Sequence, residues 1–439
     1  MKKLLLSLSL IASFSNTNAQ WTSQATGFSE QFRGLSDIRI VDANTVWGLA
    51  YDGSGLGDNA QQCTVTTNGG ASWTARNIEM GNSLLEINNI SPVSGTTAWV
   101  SALIPTAGNG VIYKTTDGGE SWTQQLANGF QTTGSSFLNS VYFWNANVGI
   151  AYGDPIGSGL GEMEIYRTTD GGNNWTQIAA AALPNPLSGE YGYNSTPTAV
   201  GQTLWFTTNR GRIYRTDDSG ITWSAFQSPL TDFGSATDSG SLKFSNASNG
   251  CILRTQGTTY TFYTTTNGGQ TWSAGTPFTG TRRILTYIPG TTTIVATSQA
   301  APVGTSVSTD NGATWTDVES LEQRGASAFL NASTGWCAGF SFDSLTDGIF
   351  KLTGQLGVSN VAQTKFKVYP NPATSIVTIS VADVDSYNLS VTDLTGKIVM
   401  TKSLNGIENT LDISNLATGA YFFNLSAGDK NEVVKILKN

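Results

Sequence analysis

Apolar and polar positions alternate in short runs along most of the chain, and clusters of Gly, Asn, Asp, Ser and Thr separate the runs. Alternation with a period of two, bounded by turn residues, predicts half-buried β-strands. One stretch resolves into four such pieces: Ser140 to Phe143, Val148 to Tyr152, Glu164 to Thr168 and Trp175 to Ile178. The last two flank a short Gly-containing box, and that box recurs.

Six segments carry it: TTNGGASW (Thr66 to Trp73), TTDGGESW (Thr115 to Trp122), TTDGGNNW (Thr168 to Trp175), TDDSGITW (Thr216 to Trp223), TTNGGQTW (Thr265 to Trp272) and STDNGATW (Ser308 to Trp315). The steps between successive tryptophans are 49, 53, 48, 49 and 43 residues. A period near 50 signals a propeller or a solenoid, and four strands per period is a propeller blade. The leading pair of the box, Thr-Thr in four of the six, ends the third strand. The next Asn or Asp (Asn68, Asp117, Asp170, Asp218, Asn267, Asp310) accepts from nearby backbone N–H groups and closes a turn. The glycines supply positive φ without a steric cost. The tryptophans (Trp73, Trp122, Trp175, Trp223, Trp272, Trp315) are expected to start the fourth strand and wedge between sheets, where truncation would cost about 3–5 kcal/mol. A turn acceptor tolerates the exchange of Asn for Asp; a catalytic carboxylate does not. The boxes therefore read as structural, with calcium binding as the alternative.

A seventh unit runs from Gly325 to Thr353, with expected strands at Ala328 to Leu330, Gly335 to Phe340 and Gly348 to Leu352. It lacks the box and its Trp. Trp21-Thr22 matches the Trp-Thr pair found at the end of other boxes, as in Trp73-Thr74, and lies 52 residues before Trp73. The prediction is an all-β fold: a seven-bladed β-propeller closed by its N-terminal strand, which leaves no exposed sheet edge in the ring. After a polar linker come further strands at Tyr387 to Thr392, Lys397 to Thr401, Thr410 to Ile413, Ala420 to Leu425 and Val433 to Leu437. These predict a small Ig-like β-sandwich. Lys2-Lys3, the apolar run Leu4 to Phe14 and Thr17-Asn18-Ala19 read as a signal peptide cleaved before Gln20. The domain boundaries are thus a signal peptide over 1–19, the propeller over 20–353, a linker over 354–364 and the sandwich over 365–439. No stretch is long and apolar enough to span a bilayer as a helix, so the expected fate is a soluble exported protein.

Composition narrows the chemistry. The 439 residues include no His, 49 Gly, 12 Trp and 3 Cys. Without His, a Ser-His-Asp triad, an HExxH zinc site and His-ligated haem are excluded. Cys63, Cys251 and Cys337 are too scattered for a metal site and read as buried free thiols. Residues 20–364 hold 14 Lys/Arg and 24 Asp/Glu, a net of −10, whereas residues 365–439 balance 7 with 7. An acidic propeller disfavours nucleic acid and anionic membrane surfaces as partners.

The boxes resemble the Asp-box, or BNR, repeats of sialidases, sortilin-type receptors, two-propeller xyloglucanases and photosystem II assembly-factor-like propellers. Phe32 to Ser36 (FRGLS) and Gly153 to Gly159 (GDPIGSG) are more similar to the assembly-factor-like members. The resemblance implies the fold; because that group mixes hydrolases with binders, it implies no single activity. Tyr369-Pro370-Asn371-Pro372, Asp393 to Lys397 and Leu416 to Tyr421 are similar to the type A C-terminal sorting domain of type IX secretion. That similarity implies the secretion machinery as a partner of residues 365–439, passage across the outer membrane and delivery to the cell surface or medium.

The rim opposite the boxes, here called the crown, is where ligand chemistry is expected. Two loops there carry GSGLG beside acidic residues, making Asp52, Asp58, Asp154, Glu162 and Glu164 the candidate carboxylates. Glu86 and Glu190, with Arg33, Arg283 and Arg324 ahead of inner strands, are candidate binding residues, the arginines facing the central channel. Non-catalytic binding of a glycan or protein on the crown is the main functional expectation. A carboxylate-dependent glycoside hydrolase, xyloglucanase- or sialidase-like, is the alternative and needs two carboxyls roughly 5–10 Å apart. No sialidase-type RIP signature appears. No metal site is predicted; calcium in the acidic loops is the one cofactor kept open, although no DxDxDG loop is present. Trp47, Trp99, Trp205 and Trp336 recur in second strands and read as blade core.

Overall fold

The computed structural model describes residues 21–439 except 56, 58, 127–128, 132–135, 157–160, 321, 340–347, 355–366, 382–385 and 428–429. The expected signal segment and its cleavage site, most of the linker, Phe340 and Asp58 lie outside the described residues. The chain divides into two compact units, with the division between Gly357 and Val358. Apart from one 3₁₀ turn at Ala180–Ala182, every named element is a β-strand.

The first unit contains seven four-stranded antiparallel sheets. Blade 1 comprises Arg33–Ile40, Val46–Asp52, Gln62–Thr66 and Thr74–Asn77. The next five blades repeat that order, with first strands Glu86–Pro92, Leu138–Phe143, Thr198–Val200, Ser239–Phe244 and Ile284–Tyr287. Blade 7 takes Ser327–Asn331, Thr334–Ala338 and Gly348–Leu352 from the end of the ring and Trp21–Ala25 from its beginning. Trp21 pairs with Leu352 and Ala25 with Gly348. The Trp21 side chain is 4% exposed, and its indole donates to the Thr305 hydroxyl of blade 6 at 3.1 Å.

The interior is seven apolar clusters, one for each blade interface. Trp47, Leu49, Ile90 and Val100 fill the first interface. Trp99, Val141 and Phe143 fill the second, and Tyr152, Leu204 and Phe206 the third. The last joins Leu35, Ile38 and Trp73 of blade 1 to Trp336 and Ile349 of blade 7. Burying apolar area between neighbours stabilises each blade only through the next one, as in other repeat proteins, until the ring shuts. The second-strand tryptophans are fully buried, and Trp99 and Trp205 stack on Phe143 and Phe244 of the following blade at 3.5 and 3.8 Å. Gly149 and Gly250 make room for those phenyl rings, since a Cβ there would come within 2.6 and 2.4 Å of them.

All six boxes adopt one turn. In the second, the Thr115 hydroxyl donates to Asp117 at 2.8 Å and accepts from Gly119 N–H at 2.9 Å, while Asp117 accepts from Ser121 N–H at 3.0 Å. The second box glycine sits at φ near +87° here, a conformation that side chains with a Cβ rarely adopt. Hydrogen bonds led by the Ser121 hydroxyl hold the Asp117 carboxyl down to about 2, and Thr314 does the same for Asp310. In four boxes the indole N–H caps the carbonyl of the glycine three residues before it, as Trp175 does on Gly172 at 3.0 Å. Trp73 instead reaches Gln24 of the closing strand at 3.0 Å. Trp73 and Trp223 are buried and the other four indoles are half-buried. The fourth strands begin after the Trp, not at it; in four boxes the indole N–H bonds back onto its own box instead.

A device outside the sequence reading completes this rim. In four blades the penultimate residue of the third strand is cationic, and it donates to a backbone carbonyl in the box of the next blade. Lys114 reaches Gly171 at 2.8 Å, Arg167 reaches Ser219 at 2.9 Å, Arg215 reaches Asn267 at 3.3 Å and Lys351 reaches Gly69 at 2.6 Å. The Lys351 bond joins blade 7 to blade 1, so the ring is stapled at its seam as it is elsewhere.

The second unit is a two-sheet sandwich with seven strands: Lys367–Tyr369, Ile376–Ser380 and Glu408–Asp412 form one sheet, and Ile398–Asn405, Ser386–Thr392, Gly419–Ala427 and Lys430–Lys438 the other. Val377, Ile379, Leu389, Val391, Leu411 and Phe423 are among its buried core residues.

Candidate functional site: crown and central channel

On the crown, most charges meet a partner of opposite sign. Arg33 pairs with Asp52 at 3.4 Å across the first two strands of blade 1. Arg212 pairs with Glu190 at 2.8 Å, and Glu190 also accepts from the Thr208 hydroxyl at 2.7 Å. Arg254 grips Asp238 through two nitrogens, at 2.7 and 2.8 Å. Arg282 pairs with Asp317 at 2.5 Å and Arg324 with Glu319 at 3.2 Å. Glu164 is buried and accepts from Phe130 N–H at 2.9 Å and from the Ser136 hydroxyl. Each bond fastens a connection between strands, so these carboxylates hold the crown loops in place.

The three arginines expected to face the channel do not line its cavity. Arg33 is held by Asp52. Arg283 lies over the Tyr260 ring at 3.7 Å. Arg324 is 4% exposed, between Glu319 and the Phe350 ring. Preceding an inner strand puts a residue at the rim, where the nearest carboxylate or ring takes the guanidinium. Glu86 and Glu162 are exposed.

Asp154 differs from the other candidates. It accepts from Asn139 at 2.7 Å and from Gly192 N–H at 2.9 Å, and no cation pairs with it among the described residues. Burial pushes its carboxyl up to about 6, and the two hydrogen bonds only partly offset that.

The channel holds residues that the sequence reading missed. Asp37 and Arg39 on the first strand of blade 1 form an ion pair at 2.9 Å. Thr196, in the lead into blade 4, donates to Asp37 at 2.6 Å from 159 residues away. Lys243 lies on the first strand of blade 5. Together with Asn88, Thr286 and Ser327 these residues line a cavity of about 560 Å3. A signal existed: Arg39 stands between Ile38 and Ile40, and Lys243 between Leu242 and Phe244, each a cation flanked by apolar residues in an inner strand. Among the described residues, no three His, Cys, Asp or Glu side chains come together as metal ligands. Cys63, Cys251 and Cys337 are buried and unpaired.

The model of the photosynthesis system II assembly factor YCF48 family matches residues 104–334, just over half of the chain. The chain belongs to this family. Residues 367–439 match the secretion system C-terminal sorting domain. YCF48 from Cyanidioschyzon merolae is 18% identical, covers 76% of this chain and 99% of its own, and has a TM-score of 0.51. A structure described as YCF48 bound to D1 peptide is 15% identical, covers 76% of this chain and 97% of its own, and has a TM-score of 0.49. PorZ, described as a surface component of the type IX secretion system of Porphyromonas gingivalis, is 13% identical, covers 90% of this chain and 68% of its own, and has a TM-score of 0.36. No protein of curated function matches in sequence. The sorting domain makes this an exported protein, destined for the cell surface or the extracellular space. Among the described residues no helix is long and apolar enough to cross a membrane.

Proposed function

We propose that this propeller is a non-catalytic recognition module, carried out by an N-terminal signal peptide and then by its type IX tail, and that it binds a glycan or protein ligand on the crown. The observation carrying this reading is that Asp52, Glu164 and Glu190 are bound to groups of their own fold. A carboxylate that fixes a loop is a poor nucleophile or proton donor, but a crown with fixed loops is a rigid surface for recognition. The proposed boundaries are those of the sequence reading, with the propeller over 20–353 and the sorting sandwich over 365–439. Calcium plays no part in this reading.

The second reading is a glycoside hydrolase, and one observation favours it. A carboxyl held near 6 by burial is what a general acid requires at neutral pH. It needs a second carboxyl across a groove, and Glu162, exposed at the same rim, is the candidate. A glycan array run beside hydrolysis assays on the exported protein separates the two. Binding without turnover supports recognition. Turnover that is lost in Asp154→Asn or Glu162→Gln, with the fold kept, establishes the hydrolase. For the tail, fusing residues 360–439 to an exported reporter should carry it past the outer membrane; retention in the periplasm would overturn that assignment.

A further inference from the structure

The central channel has a charge balance unlike the rest of the propeller. Its cavity is lined by two cations, Arg39 and Lys243, and one carboxylate, Asp37. One oxygen of Asp37 takes both Arg39 Nε at 2.9 Å and the Thr196 hydroxyl at 2.6 Å. The two terminal nitrogens of Arg39 make no hydrogen bond among the described residues. The Lys243 ammonium has neither a hydrogen bond nor an ion pair there. On the crown, by contrast, Arg33, Arg212, Arg254, Arg282 and Arg324 all end on carboxylates.

An ammonium with no bonded partner in a cavity is costly, because it gives up part of its hydration and no group bonds to it in exchange. Burial, and then the neighbouring Arg39, pull the Lys243 pKa below the usual lysine range, with Asp37 opposing only in part. The two cations come from blades 1 and 5, so the ring brings them together and no local turn requires them. Asp37, two residues away on the same strand, takes only the Nε of Arg39, and no neighbour on its own strand bonds to Lys243, which lies between Leu242 and Phe244. What the cavity lacks is a second anion, since Asp37 is the one carboxylate set against two cations. A guanidinium with a free two-nitrogen edge beside a free ammonium fits a planar or tetrahedral oxyanion, which takes two donors from Arg and one from Lys. The remaining lining of Asn88, Thr286 and Ser327 offers amide and hydroxyl groups to the polar frame of such a ligand. A volume of about 560 Å3 lies within the usual range of small-ligand sites, roughly 300–1,000 Å3.

We propose that the central channel binds the oxyanion group of a small acidic ligand, a carboxylate or a sulfate, between Arg39 and Lys243. This deepens the recognition reading, on which it rests, by giving one ligand class and one location inside the ring.

Titration calorimetry on the full chain at constant ionic strength tests it, with sodium glucuronate and sodium sulfate as probes and neutral glucose as the control. Saturable binding of glucuronate or sulfate, with none of glucose, is expected. Lys243→Met should weaken it at least tenfold. Arg39→Lys keeps the charge but loses the fork and should weaken it severalfold. Tighter binding of glucuronate than of sulfate assigns the site to a carboxylate on a sugar frame; equal binding assigns it to the bare oxyanion. The melting temperature and far-ultraviolet spectrum of each variant show whether it folds, and because Lys243 has no bonded partner among the described residues its loss should leave both intact. Failure of either anion to bind, equal binding of glucose, or unchanged affinity in folded Lys243→Met and Arg39→Lys would overturn the proposal. A glycan retained equally by the native chain and Lys243→Met would overturn the channel site while leaving crown recognition standing.

Discussion

The two rims of the propeller use charge in opposite ways. On the box rim, Lys114, Arg167, Arg215 and Lys351 each cross a blade interface and donate to a backbone carbonyl of the next box. On the crown, Arg33, Arg212, Arg254 and Arg282 pair with carboxylates of their own blade or its lead-in. The box rim thus joins blades to one another, whereas the crown fastens individual loops. The difference separates what holds the ring from what is free to vary with ligand. A staple that uses only backbone carbonyls asks nothing of the partner's side chain, so it survives repetition. A crown pair needs two particular side chains and is built anew in each blade.

The strongest way to break this comparison is at the seam. If ring closure couples all seven interfaces, deleting residues 20–27 should abolish the single thermal transition of the whole propeller. Trp21→Ala alone should cost about 3–5 kcal/mol by chemical denaturation. A small, local loss would mean that the blades stand independently.

The crown side predicts a different pattern. Glu190→Ala leaves Arg212 without its carboxylate and frees the Thr208 hydroxyl, at a cost of about 3–5 kcal/mol. Limited proteolysis should then cut first in the lead-in around residues 184–197, ahead of any change at the boxes. On the box rim, Lys351→Met removes one charge-assisted bond and should cost about 1–3 kcal/mol, with Lys114→Met close behind. Equal effects at seam and interior would mean that the staple matters more than its position.

Asp154 sharpens the comparison through pH. Its folded pKa, about 6, exceeds the ordinary carboxylate value of 3.8, so the folded state holds its proton more tightly than the unfolded state. Stability should therefore fall as pH rises from about 4 through about 6 and then level off. Asp154→Asn keeps an acceptor for Gly192 N–H, removes that fall, and should gain on the order of 1 kcal/mol at pH 7. Urea melts of both proteins across this pH range would show it. The smallest effect belongs to the box. Asn68→Asp should change stability by no more than about 0.5 kcal/mol, because Asp117 makes the same turn and takes the Ser121 hydroxyl where Asn68 donates to Ser72.

Much of the ring was legible before any coordinates. The box repeats at nearly fixed spacing, and its chemistry is local: a hydroxyl, an acceptor and glycines within five residues make the turn wherever it occurs. The absent seventh box and the Trp21-Thr22 fragment likewise give the seam away, since a closed sheet must borrow its missing strand from somewhere. The crown was less readable. Glu190 and Arg212 were separated by a loop of no recurring pattern, and Arg324 looked as available as Arg33 until Glu319 and Phe350 were seen around it. Asp154 stood out only because folding buries it without a cation.

The chain's own order of residues was enough to settle an all-β ring of seven blades and a sandwich that carries sorting strings, because strand alternation and turn closure act over a handful of neighbours. Which charges end up paired, and which face an open channel, was decided only when blades 1 and 5 met across the axis. Coulomb energy depends on distance in space, and Arg39 and Lys243 are 204 positions apart along the backbone.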